Sequence, residues 1–151
     1  MKDAGGSAVL ESAVTECTGS PFLTEITLPG QPASAGVARR FVLDALADCP
    51  RADDLALAVS ELATNAVAWS AAGHGDGGAF TVRVRTAPRW ARIEVTDPGP
   101  AAARSAAPGN GWGLAIVAAV TDRAGATAGP GPARTAWAEV TWPPGRKQTV
   151  S

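Results

Sequence analysis

Cysteine is scarce in this chain of 151 residues: Cys17 and Cys49 are the only two, His74 is the lone histidine, and Lys2 and Lys147 are the only lysines. The two cysteines sit in unrelated contexts and lack the paired spacing of a zinc site, which also argues against a disulfide framework. One histidine in "AAGHGDGG", with a single aspartate nearby, falls far short of a metal centre and reads as a solvated loop residue. The formal net charge is only -1, so there is no footprint for direct nucleic-acid binding and no polybasic membrane anchor. No uninterrupted apolar run reaches membrane-spanning length. The opening "MKDAGGSAVLESAVTE" has no long apolar core and does not read as a secretory signal. A cytoplasmic, soluble protein with one domain and a sizeable core is the expectation.

Residues 1 to 20, small and polar without a clear period, read as a tail. "PFLTEITLPG" places Phe22, Thr24, Ile26 and Leu28 on one face of a strand closed by Pro29 and Gly30. A helix follows, capped by Ser34, with Val37, Phe41 and Ala45 sharing a face and Pro50 ending it. A second helix is predicted from Asp53 or Asp54, either of which can cap it, to about Ser70. Its apolar stripe is Leu55, Val59, Leu62, Ala66 and Trp69. "AFTVRVRTAPRWARIEVTD" alternates cleanly and reads as an antiparallel hairpin linked by Ala87, Pro88 and Arg89. Residues 98–110 show no period, and a loop of that length inside a small domain is usually functional. "WGLAIVAAVTDRAG" predicts a third, largely buried helix, and "ARTAWAEVTW" a final strand. Alternation sends Trp137 and Trp142 to opposite faces. The polar residues 143–151 read as a second tail. The fold class predicted is α+β, a two-layer sandwich with a mixed or antiparallel sheet covered on one face by helices.

Three pieces of this pattern carry chemistry. On the second helix, Asn65 falls about 80° and Glu61 about 120° from the centre of the apolar stripe, stacked on one flank. They border a cleft if the helix lies over a sheet. An amide oxygen and a carboxylate there can hold a magnesium ion, which tolerates few protein ligands plus waters and phosphates. Asp97, in "EVTDPGP", is a carboxylate fixed at a strand end that can accept from an exocyclic amine, and Gly99 lets a flat ring approach the backbone. "GNGWGL", Gly109 to Leu114, opens an apolar helix with glycines that expose its first N–H groups to an anion. Each piece alone has an ordinary explanation: a solvated helix edge, an Asp-Pro-Gly turn, a glycine-rich helix start.

In this order, the three resemble the GHKL (Bergerat-fold) ATPases. "SELATNAVAWS" followed by "GNGWGLAIVAAVTDRAG" looks most like the RsbW/SpoIIAB-type anti-sigma-factor serine/threonine kinases, over residues 20 to 142. The resemblance implies a histidine kinase-like ATP-binding domain over residues 21–142. Glu61 then matches the general base and Asn65 the magnesium ligand. Asp97 and Gly99 match the adenine-side motif, with Pro100 and Ala101 where a second glycine is usual. Gly109, Gly111, Gly113 and Leu114 match the phosphate-side motif, residues 98–110 the ATP lid, and Arg104 a lid cation able to reach a phosphate. ATP and Mg2+ are the implied cofactors. A sigma factor and an anti-sigma antagonist protein are the implied partners, with a homodimer formed near Val37, Arg39, Arg40 and Phe41.

Three functions fit these residues. One is ATP-dependent phosphorylation of a serine or threonine on the antagonist. The second is a nucleotide-binding partner switch with little or no kinase activity. The third is a nucleotide-independent structural domain.

Overall fold

Alternation of apolar and polar residues builds a five-stranded sheet in the computed structural model, which describes residues 22–68, 78–99, 112–128 and 131–145. The strands are β1 (Phe22–Pro29), β2 (Ala79–Ala87), β3 (Trp90–Asp97), β4 (Arg123–Ala128) and β5 (Arg134–Thr141). They lie in the order β1-β2-β3-β5-β4, and every pairing is antiparallel. Among the described residues the helices are α1 (Ser34–Ala45), α2 (Ala52–Ala66) and α3 (Trp112–Val120). The α+β sandwich is as expected, with an antiparallel rather than a mixed sheet.

One sheet face is apolar and buried. Phe80, Val82 and Val84 of β2, Ile93 and Val95 of β3, and Val140 of β5 pack beneath α1 and α2. Each such side chain contributes about 1.5–3 kcal/mol when fully buried. A one-residue slip of the β2–β3 register would put Arg83, Arg85 and Arg92 in their place, so the register is strongly specified. The other face is charged. Glu94 and Glu139 are nearly buried there, and Arg92 bridges them with contacts of 2.7 Å to each. Arg92 also lies 4.4 Å over the Trp137 ring, which in turn covers Gly125 of β4, where a Cβ would come within 2.9 Å of the indole. Trp142 takes the opposite side and packs against the core.

Four local expectations need correction. The fully buried line of α1 is Ser34, Ala38 and Val42, continued by Leu46; of the expected face, Phe41 and Ala45 are only partly buried against the core and Val37 is exposed. Ser34 donates to the Pro29 carbonyl at 2.6 Å, so its hydroxyl ties the helix start to β1 instead of capping α1, and this sets the helix rotation. Small Ala38 then meets the core and Val37 is left 47% exposed. On α2, neither Asp53 nor Asp54 caps. The helix begins at Ala52 and both acids fall in its first turn, where the helix dipole favours negative charge. After Asn65 and Ala66 the helix widens into a π turn at Val67 and Ala68; the expected extension to Ser70, Trp69 included, lies outside the described residues.

The third helix is shorter and less buried than expected. It ends at Val120, because the Thr121 hydroxyl donates back to the Val117 carbonyl and Arg51 donates to the Val120 carbonyl. The residues after Asp122 form β4, a strand that the sequence pattern does not announce. Only Val117 of α3 is buried among those whose side chains are described. Finally, Cys49 is disulfide-bonded. Two cysteines are too few for a framework but enough for one bridge, and the other, Cys17, lies outside the described residues.

Candidate functional site

The C-terminal half of α2 lies over β3 and β5 and beside α3. The buried stripe of Leu55, Val59, Leu62 and Ala66 anchors it, which leaves Glu61 and Asn65 half-buried on its flank. Neither side chain has a hydrogen bond or ion pair to another described residue. Helix α3 starts against them. A methyl group built on Gly113 would sit 3.0 Å from Glu61 Oε2 and 3.9 Å from Asn65 Nδ2. Any larger residue there would push into the acid, so the glycine lets the N-terminal end of α3 approach both polar groups. The first N–H groups of a helix carry partial positive charge, and here they converge with an acid and an amide.

Asn65 also lines a narrow pocket with Asp97, Arg134, Leu62, Val95 and Leu114. Its volume, about 10 Å³, matches a single water. Leu62, Leu114 and Arg134 are shared with a larger apolar cavity of about 270 Å³ between α3 and the β4–β5 edge. That cavity exists because α3 packs on α2 and only lightly on β4. Leu114, 49% exposed, lies at the boundary between the two.

Asp97 ends β3 and accepts from the Gly99 N–H at 2.7 Å through Oδ1. Burial pushes its carboxyl above the ordinary aspartate value, against the opposing pull of the Gly99 N–H and the Arg134 charge. Gly99 itself has φ +87, and a Cβ there would lie 1.9 Å from the Pro132 carbonyl oxygen. In this structure the missing side chain therefore makes room for the 131–133 turn beside the Asp97 loop.

Of the sequence-predicted site residues, Asn65 and Asp97 share one pocket with Leu114. Glu61 and Gly113 meet beside it, and Gly99 positions Asp97. Arg104, Gly109 and Gly111 lie outside the described residues. Among the described residues no group of three or more His, Cys, Asp or Glu side chains could cage a metal ion. The donor set fits a lighter hold: an amide oxygen at Asn65, completed by waters and phosphate oxygens, is what magnesium accepts.

The family model for the histidine kinase-like ATPase domain matches residues 28–136. The chain belongs to this family. Among solved structures, the RsbU and RsbW domains of Rv1364c from Mycobacterium tuberculosis align with a TM-score of 0.60 and 23% identity, over 79% of this chain and 32% of that one. The chain thus spans about a third of that larger protein, and the likeness is one of fold. No curated protein matches. Within the histidine kinase-like fold, one residue of the pocket escaped the sequence reading. Arg134 looks like one more alternating polar residue until β3 and β5 pair, when it falls directly across from Asp97.

Proposed function

We propose that this histidine kinase-like ATPase domain binds Mg·ATP and acts as an anti-sigma factor that phosphorylates a serine or threonine of its antagonist protein. The observation that carries the reading is the approach of Gly113 to Glu61 and Asn65, one wall away from Asp97. It brings an acid, an amide, a helix start and a buried carboxylate around one cleft. The base enters where the narrow pocket and the larger cavity meet, and Asp97 accepts from its exocyclic amine while the Gly99 N–H holds the carboxylate in place. The triphosphate runs towards the start of α3 at Gly113, where the first helical N–H groups favour an anion. Leu114 borders the cleft from α3, while Arg104 and Gly109, assigned to the nucleotide by the resemblance, lie outside the described residues.

Asn65 would hold a magnesium ion, which when bound would supply positive charge to offset that of the phosphates. Glu61 lies where it can orient the incoming hydroxyl and accept its proton. The hydroxyl oxygen bonds to the γ-phosphorus, the bond from that phosphorus to the β–γ bridging oxygen breaks, and ADP leaves. The exposed Val37, Arg39 and Arg40 of α1 form the surface we assign to a homodimer or to the sigma factor. No helix among the described residues is long and apolar enough to cross a membrane.

Calorimetric titration with Mg·ATP tests the site. Saturable binding that Asn65→Ala weakens at least tenfold is expected, and no binding at millimolar ATP would overturn it. Incubation with labelled ATP and the antagonist then tests the chemistry. Glu61→Ala is expected to bind ATP and transfer nothing. Partner exchange that follows nucleotide binding without any phosphotransfer, even in the unaltered protein, would instead identify a pure partner switch.

A further inference from the structure

Asp97 is not the only polar group on the floor of the narrow pocket. Arg134 stands directly opposite it in the β3–β5 register, and both line that pocket. Cross-strand neighbours on one face have Cβ atoms about 4.5–5.5 Å apart. The floor therefore offers one anionic acceptor and one cationic donor side by side. The edge of adenine presents the complementary pair, an exocyclic amine that donates and, beside it on either side, a ring nitrogen that accepts. We propose that Arg134 is a second base-reading residue: while Asp97 accepts from the amine, the Arg134 guanidinium donates to the adjacent ring nitrogen.

This rests on the reading of the cleft as a nucleotide site. The competing role for Arg134 is that of a plain counter-ion to Asp97. The guanidinium's charge does reach that carboxyl and pulls against its burial, so the two roles are separated by the analogue test below. Its position between the narrow pocket and the apolar cavity also places it along the path that a base would occupy. The pair carries a specificity. Guanine and hypoxanthine place a carbonyl where adenine has its amine, which sets an acceptor against Asp97, whereas adenine satisfies both groups together.

The test compares ATP with its 1-deaza and 7-deaza analogues, each lacking one ring acceptor, by calorimetry on the unaltered protein and on Arg134→Met and Arg134→Lys. Loss of a charged hydrogen bond is expected to weaken one of the analogues on the order of tenfold against the unaltered protein. Arg134→Met is expected to bind ATP and that same analogue equally, because the donor that told them apart is gone. Arg134→Lys, which keeps a charge beside Asp97, is expected to retain part of the discrimination. The inference is overturned if Arg134→Met weakens ATP and both analogues by one common factor, which is the signature of a counter-ion, or if no analogue differs from ATP in the unaltered protein. If the unaltered protein binds no nucleotide at all, the nucleotide site falls and the inference with it. That outcome is distinct from the others, in which ATP binding stands.

Discussion

The two ends of α2 carry the same kinds of side chain and use them in opposite ways. At the N-terminal end, Arg51 donates to Asp54 at 2.9 Å, to both oxygens of Asp122 at 2.8 Å, and to the carbonyls of Val120 and Thr141. Asp122 in turn accepts from the Thr141 N–H at 2.7 Å. One arginine thus joins the start of α2, the end of α3 and the end of β5. At the other end, Glu61 and Asn65 have no such partners among the described residues. The satisfied cluster is a joint, and the unsatisfied one is poised for something that the chain itself does not supply.

That contrast can be broken by substitution. The largest effect on stability is expected where the two roles meet. Gly99→Ala forces a side chain into a left-handed backbone and against the Pro132 carbonyl, at a cost of about 3 kcal/mol or more. Denaturant unfolding and ATP titration are both expected to register the damage. Arg51→Met comes next. Loss of several charged hydrogen bonds at a partly exposed site is expected to lower stability by about 2 kcal/mol, with ATP affinity unchanged within about twofold.

Acid titration sharpens the comparison further. The Arg51 guanidinium and the Thr141 N–H hold the Asp122 carboxyl below its ordinary value. Its contribution is therefore present above that value and is lost as pH falls below it, and unfolding of Arg51→Met measured from pH 6 to pH 2 is expected to vary less with acid. Asp97 has the opposite sign. A carboxyl raised by burial favours the fold when protonated and opposes it when ionised, so Asp97→Asn is expected to be as stable as the unaltered protein or slightly more so at pH 7, while binding ATP at least tenfold more weakly. The smallest change in stability is expected for Glu61→Ala with Asn65→Ala, within about 0.5 kcal/mol, although ATP binding is weakened at least tenfold. A large loss of stability in that double variant would mean that these groups also belong to a joint.

How legible was this in the chain? The acid and amide on α2, Asp97 after its strand and the glycine-opened helix all follow from spacing and are brought together in the fold. The hairpin's faces follow from strict alternation. Residues 123–125 read as the end of a helix because "RAGATA" has one β-branched residue and its alternating apolar positions are only alanines, and pairing with β5 and the Trp137 ring supplies what the local sequence lacks. The face of α1 was misread because Ala38 carries no strong hydrophobic signal, yet a small residue is what close packing selected. Arg134 was invisible for another reason. Its meaning depends on a register between strands separated in the chain by the lid region and α3, and no periodicity within either strand reports it.

The sheet order has a bearing on how the protein is made. The last of the five strands in chain order, β5, lies between β3 and β4, so β4 has no neighbour in the sheet until β5 arrives. The same event carries Arg134 to Asp97, Thr141 to Asp122, and Ala138 and Val140 into the core. During translation the Asp97–Arg134 pair and the Arg51 joint are therefore completed together, when β5 pairs. A nascent chain stalled before residue 134 exposes the β3 edge and a helix layer with an incomplete floor, a state that chaperones and proteases recognise. Because the strand that comes last in the chain order also fastens β4 to the rest of the sheet, one pairing event completes the sheet and both side-chain clusters.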